Sequence, residues 1–328
     1  MSKKASLIYI IEILKDYTDE NHFLTHQEIV EKIDQIYGVR YERKSIGSSL
    51  ALLKELGLDI NVAPGGGAAL FSRLFDKSEI AFLIDAVFSS KIINGAQAQS
   101  IIKGLNSCLS INDRKEYPFL SKAVDITRTA NKELFFTIEV ITDAIKRNKM
   151  VGFNYLEYNE CGNLKDRMNS YIHHVSPYFL VNNIGKYYLL GNKRRYNNMT
   201  VYRLDFIANV HVLEDRDIKP FSEIEDMGKN FSITNYINDH VYIFGGDVTT
   251  FKIKLKNESA FTPIFDSFGK NSRIIKCEDE YFATIKCNEK AFFYWAIQYL
   301  NLVEVIEPQY MRHQIKEVLE GALKRYNL

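Results

Sequence analysis

Proline is scarce, with 6 residues in 328, and glycine is modest at 17. With 46% hydrophobic and 25% charged residues, that composition excludes collagen-like, disordered or low-complexity bulk and fits a chain that buries real cores. Cysteine is also sparse: Cys108, Cys161, Cys277 and Cys287 show no CxxC spacing. Reduced thiols in the cytoplasm therefore fit better than a disulfide framework or structural zinc. Long apolar runs are missing, since even residues 292–306 are broken by Gln298, Asn301 and Glu304, so no membrane-spanning helix is expected. Lys3 and Lys4 ahead of residues 7–11 imitate a signal peptide, but Glu12 and Lys15 interrupt the run and no small-residue cleavage site follows. A helix is the better reading. Catalytic signatures are absent as well. His22 and His26 share the i, i+4 spacing of metal ligands but have neither a third ligand nor a basic Glu, so no catalytic residue, metal or cofactor is expected.

The chain has no strong charge of one sign either, with a net charge of +1. The charge is nevertheless uneven: residues 146–219 hold 12 basic and 7 acidic side chains, whereas the flanking regions are neutral to slightly acidic. A site for an anion is best sought there. A length of 328 residues implies two or three domains.

The first 57 residues carry helical periodicity. Leu7, Ile10, Ile11 and Leu14 form one stripe, and Ile29, Ile33 and Ile36 a second, opened by the Thr25 and Glu28 capping-box pair and closed by Gly38. A third helix starts near Glu42, buries Ile46, Leu50, Leu53 and Leu56, and stops at Gly57. Turning 100° per residue from Ile46 points Lys44, Ser48, Ala51 and Glu55 outward, with Ser45 and Ser49 on the flanks. Residues 58–62 and 70–75 then read as strands joined by a glycine-rich tip at 63–68. Three helices and a hairpin predict a winged helix-turn-helix, whose third helix enters the major groove of duplex DNA. Arg43, Lys44, Ser45, Ser48 and Ser49 are the candidate DNA-contacting residues, with Arg40 close by. A protein-interaction module is the alternative, and the tip could be mistaken for a phosphate loop, although no GK[ST] or GxGxxG follows.

Helical periodicity returns over 77–110 and again over 134–145, with little pattern at 113–131. From Met150 the period becomes two. Strands are expected at 151–155, 178–181, 186–190, 201–207 and 210–213, which suggests a small barrel. Beyond 247, strands at 249–255, 273–277 and 281–286 and helices at 292–299 and 311–326 indicate a compact α+β unit.

The segments Val175-Ser-Pro-Tyr-Phe-Leu180, Gly185-Lys-Tyr-Tyr-Leu-Leu-Gly191 and Tyr202-Arg-Leu-Asp-Phe-Ile207 resemble the signature of WYL-domain transcriptional regulators, with Tyr187-Tyr188-Leu189 in place of Trp-Tyr-Leu. Lys44-Ser45-Ile46 through Gly57 is similar to the recognition segment of that family, and Ser72-Arg-Leu-Phe75 to its connector. Ile264-Phe-Asp-Ser-Phe-Gly269, Phe293-Tyr-Trp295 and Ile306-Glu-Pro308 look like its C-terminal extension. The resemblance implies an α+β multidomain chain: a winged helix-turn-helix at 1–76, a helical connector at 77–149, an Sm- or SH3-like WYL barrel at 150–220, and a linker with an α+β extension at 221–328. It also implies a homodimer that binds a double-stranded operator and senses a ligand, a nucleotide or short single-stranded nucleic acid, through the barrel. One departure is Phe206, where the family usually has a cation.

The residues themselves point the same way. Lys193, Arg194 and Arg195 follow the turn at Gly191, and Arg203, His173, His174, Tyr155 and Tyr188 lie on strands of the same barrel. Arginine forks pair with phosphates and aromatic rings stack bases, so these groups are expected to converge on a phosphate-bearing ligand. Other readings stay open at this stage: a solvated loop for residues 193–195, packing for the histidines and tyrosines, and a salt bridge to Asp205 for Arg203. An accessory protein that binds RNA or single strands through the barrel, without operator control, is the competing function.

Overall fold

The computed structural model describes residues 3–116, 129, 131–167, 171–225 and 231–326. The fold is mixed α/β and divides into two compact units, Met1–Thr129 and Ala130–Leu328. No helix among the described residues is long and apolar enough to cross a membrane.

The first unit opens with α1 (Lys3–Tyr17), α2 (His26–Tyr37) and α3 (Arg43–Glu55), followed by a hairpin of β1 (Ile60–Val62) and β2 (Ala68–Leu70). Its core sets Ile10, Ile13 and Leu14 against Ile29 and Ile33, closed by Ile46, Leu50 and Leu53, whereas Ile36 and Leu56, at the last turns of their stripes, are exposed. Thr25 and Glu28 form the reciprocal capping box that starts α2, and Gly38 ends it at φ 64°. Leu24 bridges Ala68, which ties the helices to the hairpin. Arg73 donates to the carbonyls of Lys15 and Thr18 and so satisfies the C-terminal end of α1. Three helices, α4 (Lys77–Ser89), α5 (Gly95–Asn106) and the short α6 (Ile111–Glu116), complete the unit. Much of the aperiodic stretch at 113–131 lies outside the described residues.

The second unit begins with α7 (Leu134–Lys146), then β3 (Lys149–Tyr158), β4 (Leu164–Asp166), β5 (Ile172–Asn183), β6 (Lys186–Asn192), β7 (Thr200–Arg203) and β8 (Ile207–Asp217). Among the described residues the strands run β4-β3-β5-β6-β7, with β8 pairing β3 on its other side, and form a curled half-barrel. The hairpin between β5 and β6 turns on Ile184 and Gly185, both at positive φ, as the twist of adjacent strands favours. The strand expected at 201–207 is broken by a 3₁₀ turn at Leu204–Phe206. α7 packs on β3, β5 and β8, so it belongs with the half-barrel and not with the connector at 77–149 that the resemblance implied.

After a linker that contains α8 (Ile233–Asp239), a second sheet forms from β9 (Val248–Leu255), β10 (Ser272–Cys277), β11 (Glu280–Asn288) and β12 (Val303–Glu307), in the order β10-β11-β9-β12. Residues 226–230 of the linker lie outside the described residues. Helices α9 (Phe261–Phe268), α10 (Glu289–Gln298) and α11 (Gln309–Tyr326) accompany the sheet, with Phe251 stacked on Phe292 beside Trp295 at the centre of the core. Periodicity missed α9 and β12. Pro263 sits inside the short α9, and β12 continues the apolar run begun by α10, so neither shows a change of period.

Two glycines of the half-barrel should respond differently to a methyl group. A Cβ on Gly191 would lie 2.6 Å from Val175 Cγ1 and 2.8 Å from the Ser176 carbonyl oxygen, both in the packed interior. A Cβ on Gly152 would meet the imidazole of His211 at 2.6 Å, but that side chain is exposed and can swing away. Gly191→Ala should therefore cost about 1–3 kcal/mol and Gly152→Ala clearly less, as read from denaturant midpoints at constant slope.

Candidate functional site

The exposed start of α3 carries Arg43 and Lys44, preceded by Arg40. Ser48 is also exposed and donates to the Ser45 carbonyl at 3.0 Å. Ser49 does not share that surface. It is buried, donates to the Ser45 carbonyl at 3.0 Å and lies 3.1 Å from the Tyr41 hydroxyl. The fourfold step from Ser45 turns it into the core, so its role is to join α3 to the loop before it. The hairpin tip at 63–67 carries no charged side chain.

In the half-barrel the predicted ligand residues separate into two places. Lys193, Arg194, Arg195 and His174 line one cavity of about 400 Å³, together with Tyr171, Tyr196 and Arg216, while Tyr155, Tyr188 and Arg203 line another. The expected convergence of all these groups on one ligand does not occur, because residues 193–195 leave the end of β6 while Arg203 closes β7, further along the sheet.

The first cavity is strongly cationic. None of Lys193, Arg194, Arg195 and Arg216 has a carboxylate within 4 Å among the described residues. Burial, and then the charge of Arg167, lower the Lys193 ammonium from its usual value. Arg216 lies 3.1 Å from His174 Nδ1. Burial, then Arg216 and His211, push His174 down, so it faces the cavity as a neutral ring. Asp217, next along β8, is committed to Lys149 at 2.7 Å. Sequence reasoning missed Arg216 because it stands in the run Glu214-Asp215-Arg216-Asp217, where local charge hides a lone cation. Strand alternation was the signal that could have found it.

His173 belongs to neither cavity as a cation. It is buried, stacked on Phe153 at 5.6 Å between ring centroids, and ringed by Tyr155, Tyr171 and Tyr202. Burial, then Lys193 and Arg167, lower its pKa to about 4. It is neutral at pH 7 and cannot offer charge to a phosphate.

Arg203 is likewise not free. Its Nε and Nη2 donate to the two carboxylate oxygens of Asp205 at 3.1 and 2.6 Å. Its guanidinium also lies 4.1 Å from the ring centroid of Phe206. Burial opposes its charge, but the Asp205 bonds outweigh that and raise its pKa. Of the readings left open by sequence, the salt bridge is the one formed. Tyr155 accepts from the Arg203 amide at 3.1 Å, and Tyr188 is half-buried on β6.

Residues 137–212 match the family model described as WYL domain. No curated protein matches the chain. Among solved structures, the chain is similar to Proteasome accessory factor B/C (PafBC) of Arthrobacter aurescens, at 14% identity and a TM-score of 0.30, over 100% of this chain and 49% of that one. It is also similar to a CRISPR Cas-related protein, at 13% identity and a TM-score of 0.38, over 100% of this chain and 87% of that one. The chain thus spans about half the length of the first.

The buried imidazole makes stability pH-dependent. His173 protonates near pH 6.5 when unfolded and only near 4 when folded, so the unfolded state binds more protons between those values. The contribution is fully present above about 6.5 and is lost as pH falls toward 4, a change on the order of 3 kcal/mol. His173→Phe should flatten the difference in unfolding free energy over that window, measured by denaturation at stepped pH. A variant that tracks wild type would mean the ring is open to protons when folded.

Proposed function

We propose, from the WYL domain that this chain carries at residues 137–212, that it is a DNA-binding transcription regulator controlled by a phosphate-bearing effector. The observation that carries the reading is the cavity of Lys193, Arg194, Arg195 and Arg216, where four cations without a carboxylate partner surround a space of about 400 Å³. Arginine guanidinium groups match phosphate oxygens bidentately, and Tyr171 and Tyr196 beside them supply rings against which a base can stack. A nucleotide or a short single strand satisfies both requirements.

The operator-binding element is the first three helices with their hairpin, read as a winged helix-turn-helix. Arg43 and Lys44 stand at the exposed start of α3, where phosphate contacts fix the register, and Ser48 faces outward beyond them. A single such module buries little DNA surface, so two copies of the chain on half-sites about one helical turn apart complete the reading. Exposed free thiols at Cys161 and Cys277 suit a reducing compartment, the cytoplasm. Catalysis forms no part of the function proposed.

Two measurements test the halves of this reading separately. Lys193→Ala with Arg216→Ala should weaken binding of a short single-stranded oligonucleotide or a nucleoside triphosphate at least tenfold by calorimetry, while duplex operator affinity without effector stays unchanged. Equal binding by the double variant would make the cavity a solvated surface. Arg43→Ala and Lys44→Ala should each lower the salt slope of duplex binding by about one, the counterion released per phosphate contact. An unchanged slope in both would assign α3 to protein interaction instead.

A further inference from the structure

The second cavity of the half-barrel differs in kind from the first. At about 660 Å³ it is the larger, and the rings of Tyr155, Tyr188, Tyr242 and Phe244 form much of its wall, with Asn198 and Thr200 on the polar side. That size lies within the range of small-molecule sites, which pair apolar and aromatic walls with a few placed polar groups.

The charge of Arg203 at this cavity is already balanced. Arg203 is bound bidentately by Asp205 and lies over Phe206. With Asp205 only 3% exposed, the guanidinium cannot leave it for an anion without stranding a buried carboxylate, and the N–H groups that remain open belong to a pair that is neutral overall. Lys186, the other cation at the wall, already has a partner. Burial raises the phenols of Tyr155, Tyr188 and Tyr242, which keeps them neutral donors. Aromatic walls favour a flat ring by stacking or edge contact, and the amide and hydroxyl groups favour a ring with polar edge atoms.

We propose that this cavity is a second ligand site, for an uncharged heteroaromatic small molecule, separate from the cationic cavity. Phe206 is what sets its preference. A cation at that position would leave one positive charge beyond what Asp205 can neutralise, whereas the phenyl ring packs against Arg203, Tyr155 and Tyr158 without adding any.

The test uses the full chain and calorimetry with adenosine and nicotinamide, each beside its anionic counterpart, AMP and nicotinate. Lys193→Ala, Arg194→Ala, Arg195→Ala and Arg216→Ala together serve as the background, which takes all four cations from the cationic cavity. At least one neutral probe should bind, with affinity unchanged within twofold from wild type. Its anionic counterpart should bind no more tightly. Phe244→Ala and Tyr242→Ala, which remove walls, should each weaken the neutral probe at least tenfold, and Thr200→Trp, which fills the space, should abolish binding. Adding Phe206→Arg to the background should shift preference toward the anion at least fivefold. The proposal is overturned by no binding of either neutral probe at millimolar concentration, by binding indifferent to all three wall changes, or by an anion preferred in the background itself. Each of these results is independent of whether the cationic cavity binds phosphate, because the background removes that cavity from the measurement.

Discussion

The bidentate pair between Arg203 and Asp205 fixes the corner on which the half-barrel depends. The two residues flank the start of the 3₁₀ turn at Leu204–Phe206, which takes the chain from β7 into β8. The backbone at that corner is held from outside: Asn131 Nδ2 donates to the carbonyls of Asp205 and Ile207 at 3.0 Å each, and the Arg203 amide donates to the Tyr155 hydroxyl on β3. A buried polar backbone is tolerated only when its groups are satisfied in this way. The same contacts bring β7 back toward β3 and let β8 pair along β3, so the curl of the sheet and the neutralisation of Arg203 are one event. A charge used to turn the chain is then already neutralised.

The consequence extends across the sheet as an aromatic cluster. Phe153, Tyr155, His173 and Tyr202 touch one another in stacked, tilted and edge-on arrangements, and Tyr171 continues the series to the rim of the cationic cavity. His173 Nδ1 and the Tyr202 hydroxyl are buried with no hydrogen-bond partner among the described residues. Their desolvation is uncompensated, which favours the neutral imidazole over the charged one. The cluster therefore runs from one cavity to the other: Tyr171 lines the cationic one and Tyr155 the one beside the Arg203–Asp205 pair, and the charge of Lys193 reaches the buried ring of His173 between them.

Much of the fold was legible because it obeys short-range rules. The Thr25 and Glu28 spacing and the stripe of Ile46, Leu50 and Leu53 each express a local period that packing then used, whereas β3 forms where alternation placed a strand but buries Met150 to Phe153 without a break. Illegible were the features that depend on a residue distant in sequence. Ser49 faces inward because Tyr41, itself bonded to Ser6, waits for it, and the division of the ligand residues follows from where β7 ends, which the strand-like alternation of 202–206 conceals. Arg203 shows the limit most clearly. Its spacing from Asp205 was visible, but whether the pair closed or pointed apart was decided by the 3₁₀ turn between them.

The loop that presents Lys193, Arg194 and Arg195 is itself held at several points. Asn192 Nδ2 donates to the carbonyls of Tyr196 and Asn198 at 3.0 and 2.7 Å. The partly buried ammonium of Lys219 donates to the Tyr196 carbonyl at 3.1 Å and to Asn197 Oδ1 at 2.7 Å. The Glu225 amide adds a bond to the Asn197 carbonyl at 3.0 Å. A backbone so constrained loses little freedom when an anion arrives, which favours affinity through preorganisation, but it also moves little. A ligand alters an equilibrium only through contacts that differ between two states. In this cavity such differences must come from side chains, and two of them lead away from it: Arg216 along β8, whose next residue bonds Lys149 at the start of β3, and Tyr171, whose ring meets His173 edge-on. The stiffness of the loop thus narrows any outward signal to the end of β8 or to the aromatic cluster.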